Sequence, residues 1–151
     1  MICVTHFLRH PVPGFYSIER LYADVRAALP ADFAVAVRVS RFPSRGFWRR
    51  LFDTLNARRH QGEVNHVTGD VHFLTLLLDP RRTILTIHDC VALERLAGLK
   101  RWVYWLFWCW LAEKRCSAIV VVSTATRDQV LAHLRCDPAK VRLIYNHLSS
   151  E

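Results

Sequence analysis

Glycine and proline are scarce in this 151-residue chain, five and six residues in all. That scarcity excludes collagen-like and linker-like chains. Long hydrophobic runs are also missing. The longest, Trp102 to Ala112, falls far short of the roughly 20 residues needed to span a bilayer. None of the five cysteines stands in C-x-x-C spacing, so neither a zinc site nor a redox dithiol is signalled. The odd cysteine count, and a start (Met1-Ile2-Cys3-Val4) that reads as a strand rather than a targeting segment, place the chain by expectation in a reducing cytoplasm. Cys3, Cys90 and Cys116 lie in or beside apolar runs and are expected to be buried thiols. G-x-G-x-x-G, G-x-x-x-x-G-K-[ST] and G-x-S-x-G are all absent, which removes the dinucleotide fingerprint, the P-loop and the hydrolase nucleophile elbow.

What the chain has is apolar material and arginine. Hydrophobic residues make up 52% and charged residues 23%, enough for one core and too apolar for a disordered chain. The net charge is +8, and the segment from Arg38 to His60 carries seven arginines against Asp53 alone. Within it Phe47, Trp48, Leu51, Phe52 and Leu55 recur at helical spacing, with Arg45, Arg49, Asp53 and Asn56 opposite. Two readings fit. A helix can pack its apolar face on the core and leave its arginines in water. Alternatively, it can lie on an anionic membrane through Arg45, Trp48, Arg49 and Arg50. No helix-turn-helix, zinc-finger or aromatic RNA-binding signature occurs, so nucleic acid is not an expected partner.

Strand and helix patterns alternate along the whole chain. Strands are expected at 1–7, 33–39, 63–67, 82–87, 118–122 and 141–145. Helices are expected from Ser17 through Leu21, Val25 and Leu29, at 46–58, at 100–115 and at 124–134, with 71–78 left ambiguous. Alternation predicts an α/β fold: a Rossmann-like, doubly wound, mostly parallel sheet with helices on both faces. The near-continuous apolar runs at 82–87 and 118–122 predict strands buried on both sides. Trp102, Trp105 and Trp108 form an i, i+3, i+6 stripe in a helix apolar all round, one face of which requires cover.

Ligands of such sheets bind outside the carboxyl ends of the strands, where the strand order reverses. With order 3-2-1-4-5-6, that crevice would lie between the first and fourth strands. The first ends in His10-Pro11-Val12-Pro13-Gly14 and the fourth in His88-Asp89. His88 is the leading candidate: imidazole donates or accepts a proton, or binds a hydroxyl, with strand capping as its structural alternative. Asp89 can orient that ring or bind a hydroxyl itself. Gly14 either lets backbone approach a phosphate or is an ordinary turn glycine. Thr68-Gly69-Asp70 reads more readily as a turn than as part of a site. His66 and His72 read as packing residues and Ser123 as a helix cap.

One further pattern is specific. Ile84-Leu85-Thr86-Ile87-His88-Asp89 is followed by a helix, then by Ala118-Ile119-Val120-Val121-Val122-Ser123-Thr124-Ala125-Thr126. Another helix leads to Asp137-Pro138-Ala139-Lys140-Val141-Arg142-Leu143-Ile144-Tyr145-Asn146. This order resembles the N-terminal domain of GT-B glycosyltransferases of family 4, the retaining "group 1" enzymes. The resemblance implies two Rossmann-like domains facing across a cleft. The N-terminal one binds the acceptor and the C-terminal one the nucleotide-sugar. It puts His88 near the transferred sugar and acceptor and Gly14 in a loop approaching the donor diphosphate. Asp89 is expected to act beside His88, and Thr68, Gly69 and Asp70 to line the acceptor cleft. The resemblance implies transfer of a hexose-type sugar to a glycan or lipid-linked acceptor by front-face attack, with a nucleotide-sugar co-substrate and no metal. The family's basic pair and its E-x7-E glutamates belong to the C-terminal domain and have no match here. The expectation is therefore an acceptor-side domain over 1–146, with 147–151 beginning an interdomain linker. It would need a donor-binding C-terminal domain as partner, be inactive alone, and lie in the cytoplasm, attached peripherally to the membrane's inner face. The competing readings are a non-enzymatic Rossmann-like module docking on an anionic membrane or acidic partner through its arginine helix, and a GT-B-fold sugar epimerase.

Overall fold

A computed structural model describes residues 1–14 and 16–146. The expected linker at 147–151 lies outside the described residues. Six strands form one sheet: β1 (Ile2–Leu8), β2 (Phe33–Val39), β3 (Val64–Val67), β4 (Thr83–Ile87), β5 (Ala118–Val121) and β6 (Val141–Leu143). All neighbours are parallel, in the order β2-β1-β3-β4-β5-β6. The parallel α/β architecture is as the alternation predicts. The strand order is not. β3 lies between β1 and β4, so the order reverses at β1 and β3. Right-handed crossovers are satisfied by either order, so alternation alone cannot choose between them.

Pleat alternation gives the sheet two unlike faces. Phe7, Val67, Leu85, Ile119 and Val121 point to one side and form the dry core with Phe73, Leu74, Trp108 and Val130. On that side lie α2 (Phe47–Arg58), the 3₁₀ segment His72–Leu77 and α6 (Thr124–Leu134). The opposite face presents His6 and His66, which the register places side by side, and α1 (Ser17–Ala28) covers them with Tyr22. Tyr22 is the one buried residue of α1, and Val25 is 38% exposed. The helix is therefore held through Tyr22 rather than through Val25. Ser17, a residue type able to cap a helix start, is its first residue, and Tyr16 occupies the capping position without a side-chain bond. Leu29 leaves the helix with ψ 140°, because the residue before Pro30 is pushed into extended conformation. The strand at 118–122 is not buried on both faces. Ile119 and Val121 are buried, but Ala118 and Val120 are only half-buried.

Helix α2 is turned opposite to the simple amphipathic expectation. Its buried residues are Asp53, Thr54 and Ala57, whereas Phe47, Trp48, Phe52 and Leu55 are 68%, 77%, 45% and 44% exposed. Asp53 is only 4% exposed. It faces inward because its Oδ1 accepts the Arg41 amide at 3.0 Å and its Oδ2 the Phe42 amide at 3.4 Å. These bonds satisfy two loop amides that burial would otherwise leave unpaired.

The Trp-rich helix is one rod with a wide turn inside it: α4 (Gly98–Tyr104), a π-helical segment (Trp105–Trp110) and α5 (Leu111–Lys114), joined by α-helical backbone at each junction. The i→i+5 pairing stacks Trp105 on Trp110 and breaks the expected stripe. Trp108 is 8% exposed while Trp102 is 55% exposed. α3 (Val91–Arg95) precedes this rod, and Ser123 caps α6 by accepting the Thr126 amide at 3.1 Å. Among the described residues no helix is long and apolar enough to cross a membrane. Cys90, Cys109, Cys116 and Cys136 are buried free thiols, but Cys3, expected to be buried, is exposed on the open end of β1.

Candidate active site

The strand ends at the reversal point open into a cleft of about 940 Å³. Arg9 enters it from the end of β1, Gly69 and Asp70 from β3, and His88 and Asp89 from β4. Ser44 and Arg50 come from the approach to α2 and its second turn, and Tyr104 and Trp108 close the far side. The strand order explains the grouping. Because β3 sits between β1 and β4, its terminal turn is at the centre of the cleft, and Gly69 and Asp70 contribute more than a turn. Gly69 has φ 78°, a conformation that favours glycine, and a Cβ there would meet the Arg9 side chain at 3.6 Å.

His88 stands beneath the cleft and in edge contact with Tyr22 (6.2 Å between ring centroids). Its carbonyl accepts the Thr126 hydroxyl at 3.0 Å, which fixes the end of β4. Its Nε2 is buried with no partner among the described residues. Burial lowers its pKa, His72 and Arg9 lower it further, and Asp89 opposes them. The ring is therefore neutral at pH 7, able to donate from one nitrogen and accept at the other. Asp89 does not orient it. Asp89 Oδ1 accepts the Val91 amide at 3.0 Å and shapes the entry to α3. The Asp70 carboxylate lines the cleft and interacts electrostatically with Arg50 and His72.

Behind His88 lies a cluster of neutral rings. His6 and His66 meet edge to face at 5.1 Å, and Tyr22 lies 5.9 Å and 5.4 Å from them. His66 Nε2 pairs with the Thr86 hydroxyl at 2.8 Å. Burial pushes His6 down to about 4, with Arg26 adding to the effect. Burial, then His6 and His88, pushes His66 down to about 3. His72 is also held low by burial, and its Nδ1–H donates to the Trp108 carbonyl at 2.7 Å. His66 and His72 are thus packing residues, as the sequence suggests, although His72 also lines the cleft.

Thr68 is wholly buried and donates its hydroxyl to the Phe7 carbonyl at 3.1 Å, so it braces β1 against β3 rather than facing the cleft. Gly14, with φ 84° and open space around it, is not among the cleft-lining residues. Arg45, Trp48 and Arg49 are on the outer surface, where Arg49 lies over Phe42. Arg50 is elsewhere. It donates to the Ser44 carbonyl at 2.8 Å and lies 4.3 Å over the Trp108 ring, inside the cleft. Arg9, Arg50, Tyr104 and Trp108 are cleft residues that sequence reasoning missed. Arg9 carried no signal; Arg50 and Trp108 were legible only as members of helical stripes. Among the described residues no group of three or more His, Cys, Asp or Glu is arranged to hold a metal ion.

A parallel Rossmann-like sheet with a cleft at its reversal point defines one domain class, and the family follows from comparison. The model of glycosyltransferase family 4 matches residues 10–150, and the chain belongs to that family. No curated protein matches the chain.

Proposed function

We propose that this chain is the acceptor-binding half of a nucleotide-sugar-dependent retaining glycosyltransferase. It transfers a hexose-type sugar to a glycan or lipid-linked acceptor, with residues 1–146 as the acceptor-side domain. The observation that carries the reading is the unpartnered, neutral His88 ring at the floor of a cleft in a family 4 domain. In this reading His88 hydrogen-bonds a hydroxyl of the transferred sugar or acceptor, and Asp70 receives the acceptor hydroxyl. Asp89 holds the α3 entry, and Gly69 keeps the cleft floor low enough for close approach. Gly14 would meet the donor diphosphate only once a donor domain closes over its loop. The donor site belongs to a C-terminal domain, chemistry requires no metal, and the chain turns nothing over alone.

The test is His88→Ala in the complete two-domain protein. Turnover is expected to fall about a hundredfold or more, as when one positioned donor is removed from a polar transition state, with circular dichroism unchanged. Wild-type transfer would refute the role. Inversion at a sugar carbon without transfer would make the protein an epimerase instead.

A separate observation favours a membrane-docking role for the same domain. The aromatic side of α2 faces solvent beside Arg41, Arg45 and Arg49. Aromatic residues flanked by arginine are suited to the headgroup region of an anionic, cytoplasm-facing bilayer. Replacing Arg45 and Arg49 with Glu should abolish sedimentation with phosphatidylserine vesicles. Unchanged sedimentation would remove this role.

A further inference from the structure

Strand β2 is an edge of the sheet, and among the described residues β1 is its one neighbour there. Sheet edges are usually cut short, bent by a bulge, interrupted by proline or covered. The other edge, β6, follows that rule with three residues. β2 does not. It runs for seven residues without proline, in unbroken register with β1 from Ile2↔Phe33 to Leu8↔Val39. Its carboxyl half, Ala36 to Val39, is exposed on both faces of the sheet, so neither α1 nor α2 overhangs it. Val37 and Val39 are 39% and 47% exposed.

The backbone of this edge has a definite polarity. In a parallel ladder the N–H and C=O of one residue point to the same side, and successive residues alternate. The Ile2 amide donates to the Asp32 carbonyl at 2.7 Å, and the Ser40 amide donates to the Leu8 carbonyl at 2.9 Å. The even-numbered residues of β2 therefore face β1, and Phe33, Val35, Val37 and Val39 face outward. Of these outward groups the Phe33 amide is taken by the Pro30 carbonyl at 3.1 Å.

Such an edge is complementary to itself. Two copies laid antiparallel about Ala36 set Val37 opposite Val35, Val39 opposite Phe33 and Arg38 opposite Ala34 of the second copy. The apolar pairs are then the hydrogen-bonded ones, with about six backbone bonds in all. Arg38, the one charge on the strand, meets a small side chain and not its own copy. We propose that a second copy of this chain docks on β2 in this register, joining two six-stranded sheets into one. The two-fold axis is normal to the sheet, so both α2 helices lie on one face of the dimer and the two clefts open at opposite ends. The pairing uses no cleft residue and is independent of the His88 role.

Sedimentation velocity of the 151-residue chain at physiological salt should show a mass that rises with concentration from 17.6 kDa toward twice that by about 0.1 mM. Val37→Lys puts a charge between apolar partners and should weaken association about tenfold or more. Trp48→Ala, on the exposed side of α2, should leave it unchanged. Register is read by oxidation with oxidised glutathione in a Cys3→Ser background. Ala36 lies opposite its own copy in a non-hydrogen-bonded pair, with Cα atoms about 4.5 Å apart, so Ala36→Cys should form a covalent dimer. Ala34→Cys, whose counterpart is Arg38, should not. A chain that keeps the mass of one copy at every concentration, a dimer that survives Val37→Lys or is lost in Trp48→Ala, or crosslinking of Ala34→Cys but not of Ala36→Cys would each overturn the proposal.

Discussion

Acid should destabilise this domain before its carboxylates protonate, and the cause is the ring cluster behind the cleft. In the unfolded chain His6 and His66 take up protons around their ordinary value of 6.5; in the folded chain they resist until about 4 and about 3. Across that window the unfolded state binds more protons, so stability is full above pH 6.5 and falls as pH drops. At pH 5 both rings are still neutral in the folded protein, so the loss depends on the unfolded value alone. At 1.36 kcal/mol per pH unit that is about 2 kcal/mol for each ring and up to about 4 kcal/mol together. This is a large share of the roughly 5–15 kcal/mol that holds a domain. His72 and His88, also held low, act in the same direction. Glu19 and Glu113, whose carboxyls lie below 4.5, matter only at lower pH. The assay is urea unfolding at pH 7, 6 and 5, followed by far-ultraviolet circular dichroism. His6→Phe keeps an aromatic edge against Tyr22 and removes one titrating ring, so it should cut the loss by about 2 kcal/mol. A stability that is flat from pH 7 to pH 5, or a loss unchanged in His6→Phe, would refute the reasoning.

Other expectations concern α2 and the sheet's far end. Asp53→Ala strands the Arg41 and Phe42 amides and should cost about 2 kcal/mol or more in urea unfolding. Trp48→Ala, at a residue 77% exposed, should change stability by less than about 0.5 kcal/mol while weakening vesicle binding. Glu113 binds Lys140 at 2.9 Å with its own side chain 5% exposed. Burial alone would raise its carboxyl, but bonds from Lys140 and Lys114 outweigh it and hold it low. Glu113→Ala should lower the melting temperature and Lys140→Ala should do the same. A double variant less destabilised than the sum would show that the pair is coupled.

Much of the fold was legible in sequence because strands announce themselves through apolar runs bounded by polar turns. The β4 run ending at His88-Asp89 and the β5 run ending at Ser123 fall where expected. Sheet order was not, since local pattern does not encode which edge a crossover returns to. The orientation of α2 was not legible either. Helical periodicity identifies two faces, and only the Asp53 bonds to a distant loop decide which one is inside. Of the cleft, His88 and Asp89 followed from a strand end, whereas Gly69 and Asp70 read more readily as a turn. Arg9 and Arg50 did not follow from the sequence, since separate segments meet only in three dimensions. The π-helical turn, which swings Trp108 inward, has no sequence signature in the run of aromatics around it.

The inward polar anchoring of α2 has a consequence for how such a domain changes over generations. Here the scaffold's claim on the helix is met by Asp53, Thr54 and Ala57, with Phe52 packed against Phe42, so the most exposed positions carry little duty to the fold. Phe47 and Trp48 can drift, be exchanged or be recruited to a new surface with the architecture left intact. Foldability and the proposed membrane contact are carried on opposite sides of one helix, and selection can retune the second without disturbing the first.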